Sequence, residues 1–188
     1  MTPGDSTVSG FEFAFTLFGL LLGLALTEGL SGLARAIKER HRVRIGWATV
    51  LLGLFVACDV VSFWMYGWAL RDKLEVSWPL MFGGFLVTGV YFICASMVFP
   101  DDVDTDFDAH FDRIRPIVLG GILLCNIALL GLTASLVDIL SLTSLRAMVV
   151  TWSFFPAALL GTFARQRKVA IACLIWLTAT YPISALWV

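Results

Sequence analysis

The chain is 188 residues long, 59% hydrophobic and only 14% charged, with a formal net charge of −1 and a mean hydropathy of +0.89. Soluble domains average about 45–50% apolar and about 25% charged residues, so this composition excludes an ordinary soluble domain and points to a membrane protein. Net charge by itself says little; its placement between apolar runs carries the information.

Six runs are long and apolar enough to cross a bilayer as helices, about 20 residues each: 11–34, 46–70, 79–99, 116–137, 147–164 and 169–188. None alternates like an outer-membrane strand. Backbone groups in lipid must be satisfied within the segment, so the fold class expected is all-α, a six-helix transmembrane bundle forming one domain over 1–188. The first run lacks a basic leader and is too long for a signal-peptide core, so it reads as a retained span. The connectors hold no soluble domain.

Helix one opens with Glu12 and carries Gly19 and Gly23, followed by Ala25, Gly29 and Gly32. Such a small-residue stripe permits close helix approach, within the chain or across a homo-oligomer. Glu28 lies near the inner end of this span, with Arg35 seven residues on. It either reaches a basic inner rim, through Arg35 or a neighbouring connector, or forms the inner end of a polar path through Asp59.

Helix two is interrupted only by Asp59, about thirteen residues in, or roughly 20 Å along the axis. A carboxylate at that depth is expensive and tends to persist where it is used or well partnered. Its neighbours one turn away are Phe55, Val56, Ser62 and Phe63, and no Lys or Arg lies at its level. Asn126 of helix four lies at a similar depth and is the expected hydrogen-bond partner. Two readings stand side by side: an Asp–Asn pair that glues helices, or a proton or cation site. Thr27, Ser62, Thr88, Tyr91, Ser96 and Asn126 supply hydrogen-bonding groups for a path past Asp59.

The connector over 100–115 holds Asp101, Asp102, Asp104, Asp106, Asp108 and Asp112. Such density suits Ca²⁺ or Mg²⁺, with Asp102, Asp104, Asp106 and Asp108 the weak candidates, but the glycine and terminal glutamate of an EF-hand are missing. The blander reading is a short amphipathic helix on the cytoplasmic surface, with Phe107, Phe111 and Ile114 on one face and Asp104 as its cap. Helix five contains Pro156 near its centre, which predicts a kink.

Orientation follows from Lys and Arg. The connectors after helices one, three and five hold ten, against three on the other side, namely Arg71, Lys73 and Arg146. The positive-inside rule then places both termini outside. Trp64, Tyr66, Trp68, Trp78, Tyr181 and Trp187 read as the outer aromatic belt and Trp47 as the inner one.

The remaining chemistry is sparse. Cys58, Cys94, Cys125 and Cys173 lie in separate spans without C-x-x-C spacing and read as small hydrophobes. Both histidines, His41 and His110, lie in connectors, which excludes a bundle haem, a histidine zinc site at membrane depth and a Ser–His pair there. There is no voltage-sensor arginine ladder, no TVGYG-like filter and no phosphate-binding loop. No cofactor, no nucleic acid and no enzyme activity is expected.

The runs FEFAFTLFGLLLGLALTEGLSGLARAIKER and YFICASMVFPDD, with HFDRIR after them, resemble a group of uncharacterised bacterial polytopic inner-membrane proteins. In those proteins a glycine-rich first helix precedes a basic loop, and an F-P-acid motif precedes an aromatic-basic stretch. The resemblance covers about the first two-thirds of the chain. It implies a bacterial cytoplasmic membrane and carries no activity, ligand or site residue.

The expected function is permeation or transport of an ion or small solute, proton-coupled through Asp59, with Glu28, Asn126, Ser62 and Tyr91 along the path. The alternative is a non-transporting scaffold or sensor subunit that binds a cytoplasmic protein through its connectors.

Overall fold

The computed structural model describes residues 10–38, 46–100, 106–137 and 144–187. Within them the chain is helical without strands, and six helices are long and apolar enough to span a membrane. They are α1 (Gly10–Lys38), α2 (Trp47–Ala69), α3 (Trp78–Met97), α4 (Phe107–Leu136), α5 (Leu145–Phe163) and α6 (Arg167–Leu186).

The helices run up and down. At one end, here the terminal end, Gly10 of α1 lies against Val76, and Arg146 of α5 donates to the Ser184 carbonyl of α6 at 2.9 Å. At the other, the loop end, Thr49 of α2 donates to the Phe107 carbonyl of α4 at 3.2 Å, and Arg115 of α4 donates to the Ala164 carbonyl after α5 at 2.8 Å. α2 is central and touches α1, α3, α4 and α6, while α1 packs most extensively on α3.

Glycines set several of these approaches. The ring of Trp64 lies on Gly19, and that of Phe99 lies on Gly32 and Gly53, so a side chain at any of the three would meet an aromatic. Gly23 is different: nothing lies near where its Cβ would be. The Gly19–Gly23 pair is therefore not a single packing surface. Gly19 faces α2, whereas Gly23 lies on the exposed side of α1. A residue four positions along a helix sits about 40° further round it, enough to carry the second glycine off a narrow interface.

The segment 107–115 is not a separate surface helix. It is the first third of α4, which continues through Pro116 for 30 residues. Phe107, Phe111 and Ile114 do share a face, but that face is buried in the bundle. Asp106, not Asp104, caps the helix by accepting from the Asp108 amide at 2.8 Å. Pro116 removes one backbone donor, a defect that packing on both sides outweighs. The expected cap Asp104, the metal candidates Asp102 and Asp104, and the connector 39–45 lie outside the described residues.

In α5 the irregularity precedes the proline. Met148–Trp152 forms a π turn, closed by the Ser153 amide bonding the Met148 carbonyl at 3.2 Å. In a regular helix the Pro156 ring would collide with the carbonyl four residues back, that of Trp152. The widened turn ends at that residue and relieves the collision.

Burial is unequal along the bundle. In the loop-end half, Leu52, Phe55, Val118, Leu119, Ile122, Leu174 and Leu177 are all between 0% and 1% exposed. In the terminal half of α2–α6, no residue of 61–69, 78–87, 126–137, 144–153 or 181–187 is buried.

Candidate functional site

At the boundary between these halves four helices each contribute one polar side chain. Asp59 of α2 is 3% exposed and Tyr91 of α3 is fully buried. Tyr91 Oη donates to Asp59 Oδ2 at 2.6 Å, and Tyr181 Oη of α6 donates to Oδ1 at 2.6 Å. Asn126 Nδ2 of α4 lies 3.1 Å from Oδ2 and 3.3 Å from Oδ1, and also donates to the Ile122 carbonyl at 3.0 Å. One amide hydrogen is thus anchored to its own helix, which leaves the other for the carboxyl group.

The ionised form of Asp59 would require such an arrangement. An ion moved into a protein interior loses hydration worth several kcal/mol even after relaxation. Hydrogen bonds to a charged group return about 1.5–3 kcal/mol each, so three donors are of the size needed to hold one carboxylate without a cation. Removing one of them leaves the balance marginal. The basic residues of the chain lie towards the helix ends and connectors, and no described one touches Asp59.

Aromatic rings enclose the cluster. Phe63, one turn towards the terminal end, packs on Tyr91 with ring centroids 5.1 Å apart. Phe55, one turn towards the loop end, lies 6.4 Å from both Tyr181 and Phe154. Three free thiols surround the group: Cys58 beside Asp59, Cys94 one turn from Tyr91, and Cys125 beside Asn126. Cys94 and Cys125 make weak contacts to the carbonyls of Val118 and Val87, at 3.8 Å and 3.6 Å.

The structure therefore unites three of the five path candidates: Asp59, Tyr91 and Asn126. Ser62 is half-buried one turn away and is not a partner of the carboxylate. Glu28 stands apart from the cluster, exposed on α1, and the neighbouring basic connector 39–45 lies outside the described residues. The proposed chain of hydroxyls does not form. Thr27, Thr88 and Ser96 each donate to a carbonyl of their own helix, at 2.8, 2.8 and 2.9 Å.

Tyr181 is the residue that sequence reasoning misplaced, in the outer aromatic belt. Depth counting finds it. Tyr181 is fourteen residues from the loop end of α6 and Asp59 is twelve from that of α2, so at about 1.5 Å per residue the two differ by about 3 Å in height.

The acidic segment has other uses. Asp106 caps α4, and Asp108 forms an ion pair with Arg167 at the start of α6. Arg115 and Arg167 both lie over the Phe111 ring, 5.7 Å from its centroid. These contacts fasten the α5–α6 junction to α4. Among the described residues no group of three or more His, Cys, Asp or Glu side chains is arranged to hold a metal ion.

A small crevice along Ala25, Gly29, Gly53, Val56 and Val98 separates α1 from α2 and α3. Its lining offers carbon surface and no ligand for an ion. No protein-family model, curated protein or solved structure matches this chain.

Proposed function

We propose that this is a small multi-pass protein of a bacterial cytoplasmic membrane, with both termini outside, that moves an ion or small solute with Asp59 at the centre of its path. The observation that supports this reading is the convergence of four helices on one buried carboxylate without a cation. Helix association in a membrane needs far less than this: small residues and single interhelical hydrogen bonds suffice. A buried ionisable group held only by neutral donors can change its charge without breaking an ion pair.

The loop-end half favours a second reading. Its layers are mostly apolar, with the hydroxyls of Thr49, Thr162, Thr178 and Thr180 donating to backbone carbonyls, while Arg113, Arg165 and Lys168 are exposed at that rim. A non-transporting subunit, alone or as a homo-oligomer, would use this rim for a cytoplasmic protein partner.

Flux separates the two. Proton and cation flux into liposomes holding wild-type protein, lost in a folded Asp59→Asn variant, is the outcome expected for transport. No flux in either protein, across pH and common cations, overturns transport and leaves the subunit.

A further inference from the structure

The Asp59 cluster stands at a boundary in packing, and that position bears on what it binds and from where. We infer that Asp59 is a proton-binding site, rather than a metal-cation site, and that the conformation described here is open towards the terminal end of the bundle and closed towards the loop end. The inference rests on the reading of Asp59 as a working ion site and assigns its ligand and its direction of access.

The ligand follows from the donor set. A bare metal cation held in a protein needs a shell of several oxygen acceptors, about 6–8 for calcium and about six for magnesium. Here the groups that meet Asp59 are two phenol hydroxyls and an amide nitrogen, all pointing hydrogens at its oxygens. Even with those groups turned as acceptors the oxygens are fewer than such a shell needs, and among the described residues no group of three or more His, Cys, Asp or Glu side chains gathers to complete it. A proton needs no shell. It can attach to either oxygen, with one tyrosine turning its hydroxyl from donor to acceptor, because a hydroxyl serves as both.

The direction follows from burial. One turn towards the loop end, Phe55, Ile122 and Leu177 are each 0% exposed, and Leu52, Leu119 and Leu174 form the layer beyond at no more than 1%. The proton-bearing groups in those layers are turned away from Asp59: Thr178 and Thr180 donate to the Leu174 and Leu177 carbonyls of their own helix, and Cys94 to the Val118 carbonyl. One turn towards the terminal end Thr88 is fully buried, but Ser62, Phe63 and Ser184 are only half-buried, and Asn126 and Tyr181 are themselves partly exposed. Fewer and looser side chains would therefore have to move to admit water from the terminal side than from the loop side, where rings and aliphatic groups are close-packed.

The surroundings keep the site simple. The titratable groups facing it are Cys58 on its own helix, Tyr91 and Cys94 on α3, Cys125 on α4 and Tyr181 on α6. α5 presents Phe154, and Glu28 of α1 is exposed on the helix surface, outside the cluster. No described histidine or basic side chain competes for the proton in this layer.

The test is infrared difference spectroscopy on full-length protein in vesicles of known orientation, stepping the pH on one side at a time. A protonated-carboxyl band should respond promptly to pH at the terminal face, and should respond to the loop face no faster than the proton flux measured through the protein. It should vanish in Asp59→Asn and shift in Asp59→Glu, which keeps a readout if the first variant fails to fold. Equal response to both faces overturns one-sided access. No pH-dependent carboxyl band, or a band displaced by sodium or potassium at fixed pH, overturns the proton site. One-sided titration without flux leaves this inference standing and overturns only transport.

Discussion

The two halves of the bundle are built from similar residues and packed differently. The loop-end half closes on a continuous aliphatic and aromatic core, held at its rim by Arg115 on the Ala164 carbonyl and by Arg167 on Asp108. The terminal half holds more of the tryptophan, yet in α2–α6 its side chains, Thr88 and Leu70 apart, are half-buried or exposed. Hydropathy cannot separate the halves, because lipid accepts an apolar side chain as readily as a protein core does. In such a chain the polar side chains reveal where packing changes, and Asp59 with its three partners lies on that boundary.

The comparison can be broken first at its aromatic positions. Phe55→Ala should destabilise the protein by about 3–5 kcal/mol, the range for emptying a close-packed aromatic site. Phe63→Ala, half-buried on the other side of Asp59, should lose less than half as much. Equal losses in thermal unfolding in one detergent would erase the distinction between the halves.

At the boundary itself, Asp59→Leu removes the acceptor for two tyrosine hydroxyls. Each buried group left unsatisfied costs about 1–3 kcal/mol, so a total loss of about 2–6 kcal/mol is expected. Asp59→Asn keeps an acceptor and should lose less. If Asp59→Leu proves as stable as wild type, the cluster is not held by these bonds.

Smaller effects sharpen the contrast on α1. Gly19→Ala drives a methyl into the Trp64 ring and should destabilise by about 1–3 kcal/mol. Gly23→Ala has open space and should change stability by less than about 0.5 kcal/mol. A larger loss at Gly23 in the membrane than in detergent would show that a second chain covers it. Smallest is the rim: Arg167→Ala should lose about 0.2–1 kcal/mol, an amount that shrinks as salt rises.

Much of this was legible beforehand, for reasons that differ by residue. Six spans follow from the length of apolar runs, since a bilayer fixes that length. The Asp59–Asn126 contact follows from equal depth in two helices, and Tyr91 from its hydroxyl. Tyr181 was missed because a tyrosine near the end of a span suits an interface equally well. The continuity of α4 was missed because Pro116 and the acidic stretch look like a break, while the burial that overrides them depends on partners far away in sequence. Glu28 illustrates the opposite limit: helix rotation decides whether a polar residue joins a site, and depth alone does not contain it.

The most direct test of the account is the accessibility of a cysteine placed on either side of Asp59. Ser62→Cys and Leu52→Cys, each in otherwise native protein in sealed vesicles, would be exposed to a membrane-impermeant thiol reagent from each face and mapped by mass spectrometry. The account predicts that Cys at 62 reacts from the terminal face and that Cys at 52 stays unmodified from both. Modification at 52 as fast as at 62, or an inert Cys at 62, would contradict it.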